Sequence, residues 1–242
     1  MTVNLALTEQ LQEFDTPTVA ESLLALGCPD NHKYFMGSDV HLLTRVPEPI
    51  VGVALTLIVN TSTPGLEVNR DGLFEAADLA RESDLPAVVV MKSVGSRFQH
   101  ECIAGDGMGK MFRAAGIVGI VGDGAARDID ALSRLGFAVF GSGAVCDHAS
   151  LHYTLATEPV LVSGVTITNA DLIHADKNGV HIVPAPYHHA IIEACCLTCD
   201  FERRAHVINR RSDLSATEMM NQVNELVKVR SERSAALMSG GG

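Results

Sequence analysis

The sequence predicts a layered α/β fold, with central sheets flanked by helices. Short apolar runs alternate with helical periods between about residues 51 and 140, the pattern of buried strands joined by helices. Gly116 and Gly136 stand where two of the helical periods end. Hydrophobic residues make up 47% of the 242 residues, with aromatics at 5% and no Trp, which suits a core of Ala, Val, Leu and Ile.

The elements follow in order. Thr8 caps a short helix carrying Leu7, Leu11 and Phe14. Thr16-Pro17 reads as N-cap and N1 of a second helix, with Val19, Leu23 and Leu24 inward and Gly27 as its stop. Residues 29–50 have little periodicity and read as an irregular connection. Val51–Val59 is a strand, 60–69 a loop, Asp71–Arg81 a helix and Pro86–Met91 a buried strand. Residues 107–115 are helical to Gly116, Ile117–Val121 is a strand, 128–135 is helical to Gly136, and Phe137–Phe140 is a strand. Val160–Ile167, Leu172–Ala175 and Val180–Val183 are short strands split by polar turns, read as a β-meander packed on the α/β part. Tyr187–Ala205 is helical. Ser215 and Glu218 form a capping box that opens a last helix, with Met219, Val223, Leu226 and Arg230 on one narrow stripe. That stripe fits either its own domain or a neighbouring subunit. Residues 1–210 are expected to form one domain, and 211–242 a C-terminal helix with a flexible tail.

A formal net charge of −11 argues against a nucleic-acid groove, which needs concentrated Lys and Arg. The apolar runs fall short of a membrane span, and the N-terminal stretch has no basic region ahead of its apolar residues. A soluble, cytoplasmic protein is the expectation. Six cysteines, at 28, 102, 146, 195, 196 and 199, are then expected to be reduced. Cys196 and Cys199, near His188 and His189, raise the question of zinc. No second Cys pair at zinc spacing follows, and buried helix thiols are the better reading.

Two strings carry the chemistry: GDGMGK at 105–110 and GDGAARD at 122–128. They leave twenty residues between Asp106 and Arg127-Asp128. A carboxylate can hold a hard cation, an Arg an anion, and bare N–H groups beside glycine a substrate carboxylate. Neither nucleotide motif fits. Gly105 is one residue too close to Gly109 for a P-loop, and Lys110 stands where a dinucleotide fingerprint needs Gly. Gly105, Gly107 and Gly109 taken alone fit a tight turn as well as an anion-binding helix start.

These strings, followed by RLGFAVFGSG and by EPVLVSGVTITNADLIHADKNGVHIVP at 158–184, resemble the RraA-like family. TPTVAESLLALG and VGVALTL resemble its opening helix and first strand. The family includes class II aldolases acting on 4-hydroxy-4-methyl-2-oxoglutarate and 4-carboxy-4-hydroxy-2-oxoadipate, and regulators that inhibit ribonuclease E. It often reads Gly-Gly-Val and Pro-Gly-Asp where this chain has Ser163-Gly164-Val165 and Asn169-Ala170-Asp171.

Asp-x20-Arg-Asp marks the family's aldolases. The resemblance therefore implies that Asp128 ligates a divalent metal, Mg²⁺ or Mn²⁺, mostly through waters. It implies that Arg127 contacts substrate oxygens and that Asp106 orients a metal-bound water. The Gly105 turn and the amides of Gly107 and Met108 would bind the substrate carboxylate. The implied reaction is retro-aldol cleavage of a 4-hydroxy-2-oxo acid to pyruvate, with oxaloacetate decarboxylation as a side reaction. The implied assembly is a homotrimer, or a hexamer of two trimers, with the site at a subunit interface. The alternatives are a non-enzymatic regulator binding ribonuclease E, or an enolate-forming enzyme on another 2-oxo acid, with 29–50 and 60–72 lining the acceptor side. His148 and His152 read as surface or supporting histidines, and His174 and His181 as decorating outer strand faces. Lys92, Lys110 and Lys177 are Schiff-base candidates, Lys92 the best of them.

Overall fold

Short polar residues start the first two helices of the computed structural model, which describes residues 3–239. Helix α1 spans Leu5–Leu11 and α2 spans Thr16–Ala25. Asn4 accepts from the Leu7 N–H and Asp15 from the Thr18 N–H, so these residues, not Thr8 and Thr16, are the N-caps. Thr8 lies inside α1 and donates its hydroxyl to the Leu5 carbonyl. Leu24, expected inward, is 56% exposed; Leu26, on the same face as Val19 and Leu23, is buried instead.

Strands β1 (His41–Leu42), β2 (Ile50–Asn60), β3 (Ala87–Ser93), β5 (Ile117–Gly122) and β7 (Ala138–Gly141) lie in the main sheet. So do β8 (His152–Leu155), β11 (Leu172–Asp176) and β12 (Gly179–Val183). Their order is β1-β7-β5-β3-β2-β11-β12, with β8 also on β2. The neighbours among β2, β3, β5 and β7 pair in parallel. Helices α3 (Asp71–Glu82), α4 (Asp106–Ala114) and α5 (Ile129–Leu135) carry the crossovers between them. Strand β2 takes two antiparallel partners along one edge, β11 on Ile50–Val53 and β8 on Leu57–Asn60.

The irregular stretch 29–50 ties the two ends of this sheet together. The Met36 N–H donates to the Val180 carbonyl and the Ile182 N–H to the Tyr34 carbonyl, and β1 then pairs with β7. The sheet is therefore nearly closed. The expected meander is also corrected: β11 and β12 belong to the main sheet, and of its strands the hairpin β9 (Val160–Val162)–β10 (Val165–Ile167) stands apart.

Alternation along the strands makes separate cores. Ala87, Val89 and Met91 face α3 and α4, while Val88 and Val90 face inward to Val162 and Ile167 of the hairpin. A third core joins α1, α2 and α6 (Ile191–Asn209) to Val51, Leu172 and Val183. The same helices cover His174, and the Phe35 ring stacks on His181 with centroids 6.4 Å apart. Both are buried, against the expectation of outer faces. His174 bonds the Thr16 hydroxyl at 3.0 Å and the Leu11 carbonyl at 3.1 Å. Buried strands on both faces leave no outer position for them.

Helix α7 (Ala216–Ser239) opens on the expected capping box: the Glu218 N–H donates to Ser215 Oγ, and the Ser215 N–H to Glu218 Oε2. It packs on α6 and α2. Arg230 pairs with Glu21 at 2.8 Å and lies 4.3 Å above the Phe201 ring. The expected fraying glycines, Gly240 to Gly242, lie outside the described residues. No described helix is long and apolar enough to cross a membrane.

Candidate active site

The segments that follow β3 and β5 build the site, at the carboxyl ends of the parallel strands, where open α/β sheets place ligands. Strand β4 (Cys102–Ala104) pairs in parallel with β6 (Ala125–Ala126). This small sheet sets the end of β4, and so the start of α4, beside the Arg127-Asp128 pair. The Arg127 N–H donates to the Ala104 carbonyl. Gly109 lets α4 approach α5, since a Cβ there would stand 2.4 Å from Leu132.

The structure brings Gly105, Asp106, Arg127 and Asp128 together. The Asp106 N–H donates to Asp128 Oδ2 at 3.2 Å, and Arg127 Nε lies 3.4 Å from the same oxygen. Gly105 is the N-cap of α4. A Cβ on it would stand 3.3 Å from both Arg127 Nε and Asp128 Oδ2, so glycine keeps this contact free. Gly105 has no side chain to cap α4, and Asp128 takes only the Asp106 amide, which leaves the next amides, those of Gly107 and Met108, facing the cleft for a ligand. Asp128 has φ +58°, a left-handed conformation that Asp tolerates better than most residues.

Two clefts meet at this wall. One, of about 310 Å³, is lined by Gly105, Asp106, Gly107, Met108 and Arg127, and by Arg70, Phe74, Met111, Leu151 and Tyr153. The other, of about 510 Å³, runs along Asp106, Arg127, Asp128 and Arg134. Asp128 is a half-exposed oxygen donor, and the described residues hold no group of three or more His, Cys, Asp or Glu that could bind a metal. A lone carboxylate suits a cation that keeps most of its water shell, as Mg²⁺ does, and not a closed protein cage.

The sequence reading missed one partner. Lys110 Nζ lies 2.6 Å from Asp106 Oδ2, one turn on in α4. Its hydrogen bond, and then its charge, hold the Asp106 carboxyl below its ordinary range. The i,i+4 spacing could have shown the pair. Glu101 was missed without any signal. It is buried and accepts from Thr61 N–H, Thr61 Oγ1 and Ser62 Oγ at 2.7–3.0 Å, fixing the loop behind β4. Tyr153 is buried at the cleft, and burial pushes its phenol up.

The other candidates lie elsewhere or play other parts. Lys92 is engaged by Asp123 at 2.6 Å and does not line the cleft, and Lys177 borders a separate groove with Asp176. His148 lines the cleft, whereas His152 bonds the Glu67 carbonyl from β8. Cys195 is buried, but Cys196 and Cys199 are exposed, which corrects the reading of all three as buried thiols. Of the two segments expected at the acceptor side, 60–72 contributes Arg70 to the cleft and 29–50 contributes nothing.

Fold and site together define a class, the α/β proteins of the RraA type. Residues 16–182 match the RraA-like family, described as Aldolase/RraA, and the chain belongs to that family. Over 83 residues it is 37% identical to "Putative 4-hydroxy-4-methyl-2-oxoglutarate aldolase" of Halalkalibacterium halodurans. That match spans 34% of this chain and 40% of the relative. Among solved structures, an uncharacterized protein from Pseudomonas syringae pv. tomato superposes with a TM-score of 0.67 at 21% identity, over 92% of this chain and 96% of the other. Streptomyces coelicolor RraAS2, described as an unusual member of the RNase ES inhibitor RraA protein family, superposes with a TM-score of 0.66 at 24% identity, over 84% and 98%. At these identities the structural likeness concerns the fold.

Proposed function

We propose that this protein is a divalent-metal-dependent lyase that cleaves a 4-hydroxy-2-oxo acid and releases pyruvate, with oxaloacetate decarboxylation as its side activity. One observation carries the reading: Asp106, Arg127 and Asp128 meet at one wall, with the Asp106 amide bonded to the Asp128 carboxylate. In the proposed reaction the C4 hydroxyl loses its proton and the C3–C4 bond breaks. Its electron pair forms the C2–C3 double bond as the C2 carbonyl pair moves to oxygen, the C4 fragment leaves as an aldehyde or ketone, and C3 then takes a proton as the C2 carbonyl re-forms to give pyruvate.

The first-turn amides of Gly107 and Met108 hold the substrate carboxylate. Arg127 sets fixed positive charge beside the C2 oxygen, where negative charge grows as the bond breaks. Asp106 moves the proton from the C4 hydroxyl towards C3 by way of water. Asp128 holds Mg²⁺ or Mn²⁺, which when bound supplies Lewis acidity to the oxo-acid oxygens. The family resemblance supports a cytoplasmic homotrimer or hexamer as the working form.

The test is pyruvate release from a panel of 4-hydroxy-2-oxo acids and oxaloacetate. Activity should vanish after dialysis against EDTA and return with Mg²⁺ or Mn²⁺. Asp106→Asn should slow the aldol reaction more than decarboxylation, which needs no base to begin. Borohydride trapping of a pyruvate adduct, with indifference to EDTA, would move the chemistry to a lysine. No activity on any 2-oxo acid, with tight binding to a ribonuclease, would replace the enzyme with a regulator.

A further inference from the structure

The cleft beside Arg127 combines polar groups with a larger apolar wall. Its polar lining is Arg70, Asp106, Arg127, His148 and the backbone at the start of α4. The rest of the wall is apolar, with Leu73, Phe74, Met108, Met111, Leu151 and Tyr153. Met108, Met111 and Leu151 are partly buried and pack on the core behind them, so the wall is anchored. The chain holding Arg70 is fixed against β8: the Asn69 N–H donates to the Leu151 carbonyl and the Tyr153 N–H to the Asn69 carbonyl, both at 2.8 Å. Phe74 is 54% exposed, an aromatic ring left at the surface where the cleft opens.

A volume of about 310 Å³ exceeds what a pyruvate unit fills and reaches the lower end of small-molecule clefts. We propose that the substrate carries an apolar group, alkyl or aryl, on C4, and that this group lies against Phe74, Met111 and Leu151. This rests on the 2-oxo-acid reading of the polar groups. Removal of apolar area from water favours such a group, and two methionines accommodate more than one shape. A second carboxylate would have Arg70 as its cationic partner, at the price of desolvation against the apolar wall.

The experiment measures binding to the intact protein in Mg²⁺ by calorimetry. The ligands are pyruvate, 2-oxo-4-phenylbutanoate and 2-oxoglutarate, none of which has a C4 hydroxyl to be cleaved. The phenyl acid should bind roughly tenfold or more tightly than 2-oxoglutarate. Phe74→Ala should remove most of that advantage and change the Kd of 2-oxoglutarate less than twofold, and Phe74→Leu should restore part of it. Tighter binding of 2-oxoglutarate would overturn the proposal, as would an equal loss for both ligands in Phe74→Ala. Pyruvate binding without a preference between the longer acids would sink the apolar subsite alone. Failure of all three ligands to bind would remove the 2-oxo-acid reading with it.

Discussion

Lys110 Nζ stands 2.6 Å from Asp106 Oδ2 on the exposed first turns of α4, so the carboxylate in the cleft shares its charge with a cation four residues on. The pair keeps Asp106 ionised further into acid than an ordinary carboxyl. Replacing Lys110 with Met removes the largest cause of that shift, so the Asp106 pKa rises. If turnover needs the ionised form, the acid limb of the kcat/KM profile moves to higher pH in Lys110→Met. Rates on the plateau at neutral pH should change less than the position of the limb. A limb that stays in place would show that Asp106 does not govern it.

Arg127→Lys keeps a positive charge and loses the planar fork. Arg127 Nε approaches Asp128 Oδ2, and its Nη1 lies 3.8 Å from Asp147 Oδ1, so two ends of the guanidinium are engaged at once. An ammonium cannot span both. Turnover should fall roughly a hundredfold, on the scale of one lost oxyanion donor, with the melting temperature little changed. Steady-state kinetics and a thermal melt on the same preparation check both parts.

Asp128 has two duties that substitution can separate. Its carboxylate is the proposed metal ligand, and its backbone sits at φ +58° ahead of α5. Asn accepts this conformation, so Asp128→Asn should fold with near-native stability and lose Mg²⁺-dependent activity. Asp128→Ala should lose the activity and about 1 kcal/mol of stability as well. Equal melting temperatures for the two variants would count against the backbone argument, and an active Asp128→Asn against the metal role.

The crossover units between β2 and β7 were legible because each strand is a run of buried apolar residues and α4 and α5 end at Gly116 and Gly136, with Pro86 after α3. The paired carboxylates and Arg127 were legible because they lie inside those units, next to glycines. What escaped depends on contacts distant in sequence. Glu101 meets Thr61 and Ser62 about forty residues away. The Tyr34–Met36 stretch pairs with β12, and no local pattern marks it as sheet. His174 and His181 were misplaced because alternation reports two faces without saying what covers the second, here α1 and α2 over His174 and Phe35 over His181. Tyr153 and Arg70 reach the cleft through the pairing of Asn69 with β8, which composition does not reveal.

Burial of His181 gives a stability signature in acid. Desolvation lowers its pKa to about 4, and its Nδ1 donates to the Ile182 carbonyl at 2.6 Å. Between about pH 6.5 and pH 4 the unfolded chain takes up a proton that the folded chain refuses, so stability falls as pH falls through that window and levels off below it. The shift corresponds to about 3 kcal/mol across the window. The depressed pKa of His174 acts in the same direction. Urea unfolding at steps from pH 7 to pH 4 should show this slope, and His181→Gln should flatten it whatever its stability at pH 7.

Ser163 and Ala170 carry backbone strain at the turns where the chain departs from the family's glycines. Ser163 has φ +45° and Ala170 has φ +70°, both in the left-handed region that a Cβ disfavours. Ala170 has no side-chain hydrogen bond to offset the strain, and its N–H already serves the Ala54 carbonyl. Ser163 differs, because its hydroxyl donates to Asp39. Glycine relieves about 1–2 kcal/mol of strain, and its greater unfolded-state entropy takes back a part. Ala170→Gly should therefore gain up to about 1 kcal/mol, and Ser163→Gly less, because it also gives up the bond to Asp39. Both turns lie away from Asp106 and Arg127, so pyruvate release should not change in either variant. Chemical denaturation resolves the gain, and a loss of stability in Ala170→Gly would show that the turn is not strained as its φ implies.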